Sequence, residues 1–458
     1  MNKKILIKMV SFILLFSSLF NGVIGCNLKT TESKTWESGE VYKYTFNNIG
    51  QDDFVIGAFS GPNGAKSSGG VNYPSIITND SFKYLKEAGV NTVFGIENWV
   101  VEDMAKITKT LNFADANDLN YVIYDTKVFY DNHVAQNRQE IADRLAEYES
   151  HSSFAGFYCK DEPVVSYFTM MKKAEDLINS LYPDGSKVCY SNMLPLVDNN
   201  FIYTNDANNL IDYKTYIEQY FSVVQPKYIS YDMYPFGRTV GTVLKDWFNN
   251  LAIISSQANK NKVPFWLCIQ TGGMWENKIN RLPSETEFNW NINTALCFGA
   301  KGITFFPGVH SFYHVENEKG NEGLLDLQGE KTNYWYYANR LAPHLNLIDD
   351  VLTNCSFKGL VQAGKTPQKM PTENVTIRST FRELKKASGD LLIGCFDYNG
   401  KTTLYVVNNN LKSNTTAELT FDANYKYSVV KRGVESTEKG SVLTLSLKGG
   451  EGVLITLK

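Results

Sequence analysis

The sequence lacks an excess of positive charge, since 45 Lys and Arg stand against 48 Asp and Glu for a formal net charge of −3. Proteins that bind DNA or RNA carry a basic patch against the phosphates, so we expect no nucleic acid partner. After its first 26 residues the chain also lacks an apolar run of the ~20 residues that a membrane-spanning helix needs. With 43% hydrophobic and 20% charged residues, the composition predicts a folded protein, and its length of 458 residues predicts two or three domains or one large barrel with an appendage.

The N-terminal segment has the pattern of an export signal. Three lysines within the first eight residues precede the apolar run Val10–Phe20, which is too short to span a membrane. The segment ends in Val23-Ile24-Gly25-Cys26, which resembles the lipobox of bacterial lipoproteins. The resemblance implies a signal peptide over residues 1–26, a lipid on Cys26 that holds the protein to a membrane, and a tether with an N-terminal extension over 27–50. We therefore expect a protein of the bacterial cell envelope, periplasmic or surface-exposed; the alternative is an ordinary secreted protein.

Cysteine is scarce, and its positions favour buried thiols over disulfides. An even number in an exported protein permits disulfides. Most of these cysteines, however, lie in or beside apolar runs, where free cysteine behaves as a small buried hydrophobic residue. Their spacing does not resemble a zinc site. The six that follow the signal segment are Cys159, Cys189, Cys268, Cys297, Cys355 and Cys395.

From residue 51 to 351 the sequence repeats one unit, a short apolar run followed by a polar turn and an amphipathic helix. Eight such units in about 300 residues predict a (β/α)8 TIM barrel. A doubly wound open sheet is the alternative, but a glycine-rich dinucleotide fingerprint does not follow the first strand. The predicted strands are Phe54–Phe59, Asn91–Ile96, Tyr121–Tyr124, Phe154–Tyr158, Lys187–Tyr190, Tyr228–Tyr231, Pro264–Ile269 and Gly302–Phe306.

Residues 352–458 follow a different pattern, with short alternating strands separated by Gly, Asn and Asp. This pattern predicts a smaller all-β antiparallel sandwich packed behind the barrel. The predicted strands are Leu391–Phe396, Thr403–Asn408, Ala417–Phe421, Tyr425–Val430, Val442–Leu447 and Gly452–Leu457.

The active site of a TIM barrel lies at the carboxyl ends of its strands. Carboxylates, amides and aromatic residues collect at these ends here, with few cations, which suits a neutral polyhydroxylated ligand better than a phosphate. Candidates for substrate contact are Glu97 and Trp99 after the second strand, Asp125 after the third, Tyr234 after the sixth, Gln270 and Trp275 at the seventh, and His310 after the eighth.

The fourth strand ends in Asp161-Glu162-Pro163. This motif, on a barrel followed by a β-sandwich, resembles the β/α-barrel glycoside hydrolases, in whose large retaining clan the fourth strand ends Asn-Glu-Pro. The resemblance implies that Glu162 is the general acid/base, and Asp161 would then help to keep it protonated by adding a negative charge beside it. The alternative is structural: Asp and Glu before a proline also favour the start of a helix.

The sequence departs from that clan at the seventh strand, where Gln270 stands at the position of the nucleophilic glutamate. An amide cannot form a glycosyl–enzyme intermediate, so we expect the second carboxylate to be Asp232, which ends the sixth strand. A second route is substrate assistance, because Asp161-Glu162 and Tyr234 are similar to the Asp-Glu pair and tyrosine of barrel hexosaminidases. We therefore assign Glu162, Asp161 and Asp232 as the candidate catalytic residues.

Neither a metal nor another cofactor is expected. His310, His314 and Glu316 follow a strand instead of sharing a helix face, and a third strong ligand is not in register. The stretch from Gly359 to Thr366 matches the P-loop pattern, but Pro367 follows at once and prevents the helix that this pattern requires, so we expect no nucleotide.

The sequence thus predicts a surface-tethered glycosidase that acts on a neutral or N-acetylated glycan. The alternative from another class is a catalytically inactive carbohydrate-binding lipoprotein on a hydrolase-like barrel. Trp99, Trp275 and Tyr313 are the candidate platforms for stacking of sugar rings, and Glu276 is a further carboxylate at this end.

Overall fold

The structure is a computed structural model that describes residues 54–68, 71–95, 103–130, 133–237, 243–273, 281–310, 322–371 and 373–458. The signal segment with Cys26, the tether, Glu97, Trp99 and Trp275 lie outside the described residues. Within the described ranges, the helices are too short or too polar to cross a membrane.

The first domain is a closed barrel of parallel strands, which confirms the predicted fold class. In the described part of the chain eight strands close it, in the order β1-β8-β7-β6-β5-β4-β3-β2 back to β1. Each predicted strand is present, with shifts of a few residues at its ends. The strands are β1 (Val55–Phe59), β2 (Thr92–Phe94), β3 (Asn120–Ile123), β4 (Phe154–Asp161), β5 (Val188–Met193), β6 (Ile229–Asp232), β7 (Phe265–Gln270) and β8 (Gly302–Phe306).

Helices separate these strands and cover the outside of the barrel. Their first turns are stabilised by side-chain caps such as Thr78, Asp103 and Asp212, and Ser284 forms a capping box with Glu287. The helices are α1 (Asn79–Glu87), α2 (Met104–Ala116), α3 (Ala142–Tyr148), α4 (Phe168–Leu181), α5 (Phe201–Thr204), α6 (Tyr213–Val224), α7 (Trp247–Asn261), α8 (Glu285–Cys297) and α9 (Asn333–Asn354). Short 3-10 turns, Arg138–Ile141 and Val165–Tyr167, precede α3 and α4.

Aromatic side chains fill the interior of the barrel, where branched aliphatic residues are usual. Tyr228 stacks on Trp266 with ring centroids 4.2 Å apart, and Phe94 lies 4.1 Å from Tyr190. Phe59 contacts rings on both sides, near the carboxyl ends of the strands. These packed rings form a floor inside the barrel. The floor lies beneath the carboxyl ends of the strands, where the candidate site residues collect.

The second domain is one curled sheet that encloses its own apolar core, consistent with the predicted sandwich. The strand order is β10-β9-β12-β13-β16-β14-β11, and β15 pairs with β14. All pairs are antiparallel except β9 with β10. The strands are β9 (Ser356–Ala363), β10 (Ile377–Arg378), β11 (Leu384–Ser388), β12 (Leu391–Tyr398), β13 (Lys401–Asn408), β14 (Thr415–Lys431), β15 (Val434–Leu447) and β16 (Gly452–Leu457). The P-loop-like stretch lies largely on β9.

The outer face of the sheet packs against α8 and α9 of the barrel. Trp290 donates its indole N–H to Asn409 at 2.7 Å, and Tyr405 donates its hydroxyl to Asn293 at 2.7 Å. Gly394 allows close approach, because a Cβ there would lie 2.4 Å from the carbonyl oxygen of Cys297. One apolar core therefore runs from the barrel helices into the sheet.

The six cysteines after the signal segment are buried free thiols, as the sequence favours over disulfides.

Candidate active site

A bulge near the end of β4 decides which of its side chains face the interior of the barrel. Tyr158 pairs with Tyr190 of β5, whereas Asp161 pairs with Asn192, so three steps along β4 match two along β5. Side chains alternate along a regular strand, so without the bulge Tyr158 and Asp161 would face opposite sides. The bulge turns Asp161 towards Tyr158 and Asn192, on the interior side.

Glu162 follows immediately, with a backbone φ of +40°. The left-handed region is unfavourable for residues other than glycine, and such residues collect at functional sites where their surroundings hold them. Here the N–H of Glu162 donates to the carbonyl of Asn192 at 2.8 Å, and the hydroxyl of Tyr216 donates to the carbonyl of Pro163 at 2.6 Å. The backbone that presents the Glu162 carboxyl is therefore anchored on both sides.

Asp232 ends β6, two strands from β4, and is 8% exposed. Hydrogen bonding by the hydroxyl of Tyr234 and by the amide of Asn192 lowers the pKa of the Asp232 carboxyl. One carboxyl oxygen has no hydrogen-bond partner among the described residues. The ring of Tyr234 stacks on Phe306, with centroids 5.4 Å apart and planes 21° from parallel. Asp232 and Tyr234 thus lie together beside an aromatic surface.

The surroundings of Glu162 hold its proton. Burial, then the charge of Asp232, then that of Asp161 raise the pKa of Glu162 well above its usual range. From the described residues its side chain accepts no hydrogen bond that would stabilise the ionised form. Among the charged groups, Asp232 raises the pKa of Glu162 more than the adjacent Asp161 does.

The other two carboxyls ionise more readily. Burial and the charge of Asp161 raise the pKa of Asp232 to about 7. Burial also raises the pKa of Asp161, but Asn192, Tyr158, Lys160 and a backbone N–H oppose the rise. Asp161 is also exposed to solvent, and this solvation offsets part of the rise in its pKa that burial causes. A carboxyl with a strongly raised pKa beside carboxyls that ionise more readily is the arrangement that general acid catalysis requires.

Asp125 lies outside this group. Its carboxylate has no exposed surface and accepts hydrogen bonds from Arg144 at 2.9 Å, from Tyr148 at 2.5 Å and from the backbone N–H of Lys127 at 2.9 Å. These contacts tie the loop after β3 to α3. The buried ion pair leaves the carboxylate no free surface for the substrate contact that strand-end position predicts.

Gln270 is 1% exposed, and backbone groups occupy its amide. Its Oε1 accepts from the N–H of Phe236 at 3.0 Å. Its Nε2 donates to the carbonyls of Phe236, Gly272 and Arg281 at 3.4, 3.2 and 2.8 Å. The side chain therefore joins the loops after β6 and β7, and its predicted contact with substrate remains a prediction.

His310 lies half-buried after β8, and burial lowers its pKa to about 4, so the imidazole is neutral at pH 7. Its backbone carbonyl accepts from the buried amide of Asn63, in the loop after β1. This bond joins the loops after the first and last strands of the barrel.

The described residues do not bring three His, Cys, Asp or Glu side chains together as metal ligands. Part of the predicted site cannot be compared with the structure, because the residues lie outside its described ranges. They are Glu97, Trp99, Trp275, Glu276, Tyr313, His314 and Glu316.

Sequence reasoning missed Asn192, Cys268 and Phe306 as members of the site. Asn192 follows Tyr190 by two residues, so strand alternation applied to β5 identifies it as an interior side chain at the carboxyl end. Cys268 and Phe306 lie inside apolar runs, where the sequence does not distinguish a site residue from a core residue.

No protein-family model matches the sequence, and no curated protein sequence matches it. Solved structures similar to the chain include a β-galactosidase from the psychrophilic Marinomonas ef1, with a TM-score of 0.46 and 10% identity over 68% of this chain and 63% of that one. A family 39 glycoside hydrolase from Bacteroides cellulosilyticus WH2 has a TM-score of 0.48 and 12% identity over 90% and 82% of the two chains. A γ-CGTase from the alkalophilic Bacillus clarkii has a TM-score of 0.45 and 12% identity over 90% and 71%. These similarities are too low to indicate an activity. The barrel fold is established by the strand order of the chain itself.

Proposed function

We propose that the protein hydrolyses O-glycosidic bonds of a neutral or N-acetylated glycan, with Glu162 as general acid/base. The observation that carries this proposal is the position of Glu162 directly after β4, where burial and the charges of Asp232 and Asp161 raise its pKa. Protonation of the leaving oxygen requires an acid that keeps its proton near neutral pH. The anchored left-handed backbone at Glu162 supports a functional role over a simple helix start.

The aromatic surface beside the carboxyls supports a carbohydrate substrate. The stacked rings of Tyr234 and Phe306 are half-buried at the carboxyl ends of β6 and β8, and a pyranose has an apolar face that packs on such rings. An anionic sugar would meet Asp161 and Asp232, so a neutral or N-acetylated glycan fits better.

Asp232 is the proposed partner of Glu162. A separation of about 5–5.5 Å between the two carboxyls would favour a covalent retaining mechanism, and about 6.5–9.5 Å an inverting one. Asp161 with Tyr234 provides the substrate-assisted route. The anomer first released, read by NMR, separates inversion from retention. Rescue of Asp232→Ala by azide with inverted glycosyl azide as product would identify a nucleophile, whereas parental turnover of this variant without azide would exclude it.

A panel of aryl glycosides and polysaccharides tests the activity itself. Glu162→Gln should lose about 10²-fold or more in turnover on substrates with poor leaving groups, and less on activated ones that need little protonation. The matched control is Glu438→Gln, the same change at an exposed position on β15, which should retain parental turnover. Equal activity of Glu162→Gln and the parent on a natural glycan would contradict the proposal.

A carbohydrate-binding protein without catalysis is the second candidate, favoured by the engagement of Gln270 with backbone groups where the retaining clan has its nucleophile. Calorimetric binding of oligosaccharides without any turnover by the parent would support this candidate over the first.

We further propose that Cys26 carries a lipid that holds the protein to the cell envelope. Metabolic labelling with a fatty-acid analogue should label the parent and not Cys26→Ala. Label that persists in the variant would contradict the anchor.

A further inference from the structure

Asn192 lies between the two aspartates of the site. In the register of the barrel it pairs with Asp161 on β4 and with Ser230 on β6, and Asp232 is the next residue of β6 on the same face. Its Nδ2 donates to Asp161 Oδ1 at 3.4 Å, and the amide also acts on the carboxyl of Asp232. The side chain is 2% exposed. A single buried amide therefore lies between the two aspartates and donates to Asp161.

The thiol of Cys268 determines how this amide is turned. Cys268 is fully buried on β7, in register with Asp232, and its Sγ lies 3.6 Å from Asn192 Oδ1. Carboxylates accept hydrogen bonds only, so the amide N–H groups must face them and the amide oxygen must face a donor. The thiol is that donor, since burial and the charges of Asp232 and Asp161 keep it protonated.

We propose that Asn192, oriented by the Cys268 thiol, is a positioning residue that favours the ionised forms of Asp161 and Asp232, so that the proton of the site resides on Glu162 in preference to either aspartate. This proposal rests on the proposed function for its catalytic meaning, but the effect on ionisation does not depend on turnover. Asn192 acts through the carboxylates and is not itself a catalytic residue.

The neighbouring groups explain why one amide has this influence. Several phenols face the carboxyls, and the nearby cation Lys160 lowers the pKa of Asp161. Tyr158 and Lys160 favour the ionised form of Asp161 and Tyr234 favours that of Asp232, whereas the Asn192 amide favours the ionised form of both. The titratable and charged groups around the two aspartates are Tyr158, Lys160 and Glu162 from β4 and the residue after it, Tyr190 from β5, Tyr231 and Tyr234 from β6 and the loop after it, Cys268 from β7 and Tyr216 from α6.

The test compares Asn192→Ala, Cys268→Ala and Cys268→Ser in the full chain. Loss of a hydrogen-bond donor raises the pKa of the carboxylate that accepted the bond. In Asn192→Ala, the acid limb of the pH profile of kcat/KM should therefore shift to higher pH by about one unit. A smaller upward shift is expected in Cys268→Ala, because the amide then loses only its orientation. Cys268→Ser keeps a donor and should restore the parental limb. Cys189→Ala removes a buried thiol from the opposite face of β5 and should leave the limb unchanged.

Infrared difference spectroscopy of the carboxyl C=O band during a pH titration reads the same ionisation without substrate. Asp161→Asn and Asp232→Asn assign the bands. If the parent hydrolyses nothing but the aspartate bands still move in Asn192→Ala, the proposed function fails and the role of Asn192 stands. A lower rate with an unmoved acid limb and unmoved bands would reduce Asn192 to a structural role and overturn the proposal. If Asn192→Ala does not fold, the Cys268→Ala and Cys268→Ser pair decides by the same two measurements.

Discussion

The carboxylate at the end of β3 and those at the ends of β4 and β6 have opposite surroundings. Asp125 is buried with a guanidinium and a phenol, so its charge is compensated within the protein. Asp161, Glu162 and Asp232 form no ion pair with a described residue, and burial raises the pKa of each. A position at the end of a barrel strand therefore does not define a site residue. Uncompensated negative charge distinguishes the candidate site from the structural position.

Asp125→Ala should produce the largest loss of stability, about 3–5 kcal/mol of the free energy of unfolding, because Arg144 stays 17% exposed without its partner. Urea unfolding measures this loss. Asp176→Ala removes the acid of an exposed pair on α4 and should cost no more than about 1 kcal/mol. If Asp125→Ala instead kept its stability and lost turnover, the comparison would be broken and Asp125 would belong to the site.

Gln270→Glu tests whether the side chain at the end of β7 has a structural role, like Asp125, or belongs to the candidate site. A glutamate would direct acceptor oxygens at the carbonyls that the amide now satisfies, so we expect a loss of about 1–3 kcal/mol without new activity. Gln270→Met, which loses the same hydrogen bonds without an added carboxyl, is the control. Increased turnover at unchanged stability in Gln270→Glu would show that β7 takes part in catalysis.

Asp232→Asn should produce the smallest effect, and its sign follows from proton binding. The pKa of Asp232 is about 7 in the fold against a reference value of 3.8, so between these pH values the folded state binds the extra proton. The parent therefore loses stability as the pH rises through this window, and stability is lowest above it. Asp232→Asn lacks this loss, which we expect to be on the order of 1–2 kcal/mol because Asp161 and Glu162 titrate together with Asp232. Thermal unfolding from about pH 4 to 8 measures it, with Asp176→Asn as control; parallel pH profiles of Asp232→Asn and the parent would contradict the uncompensated charge.

The sequence predicts the barrel because its eight strands are short apolar runs at regular spacing, and even strand β8 has the predicted bounds. Glu162 and Asp232 are predicted at strand ends for the same reason. The bulge that turns Asp161 inward depends on pairing between β4 and β5, which the sequence does not show. The hydrogen-bond partners of Asp125 come from α3, and the sequence does not show this contact. From the sequence alone, the structural Asp125 therefore cannot be distinguished from Asp232 of the candidate site. The second domain is predicted in outline, but Ala417–Phe421 and Tyr425–Val430 join into the single long strand β14.

The contact between α8 and the outer face of the curled sheet has a consequence for how the chain assembles. Trp290 and Cys297 are fully buried. Trp290 contacts Asn409 and Cys297 contacts Tyr405, and both partners are synthesised roughly a hundred residues later. Until β12, β13 and β16 have emerged from the ribosome, the barrel exposes an apolar helix face to chaperones. The two domains should consequently melt in one cooperative transition, and a chain that stops after α9 should be degraded before it accumulates as a smaller folded protein.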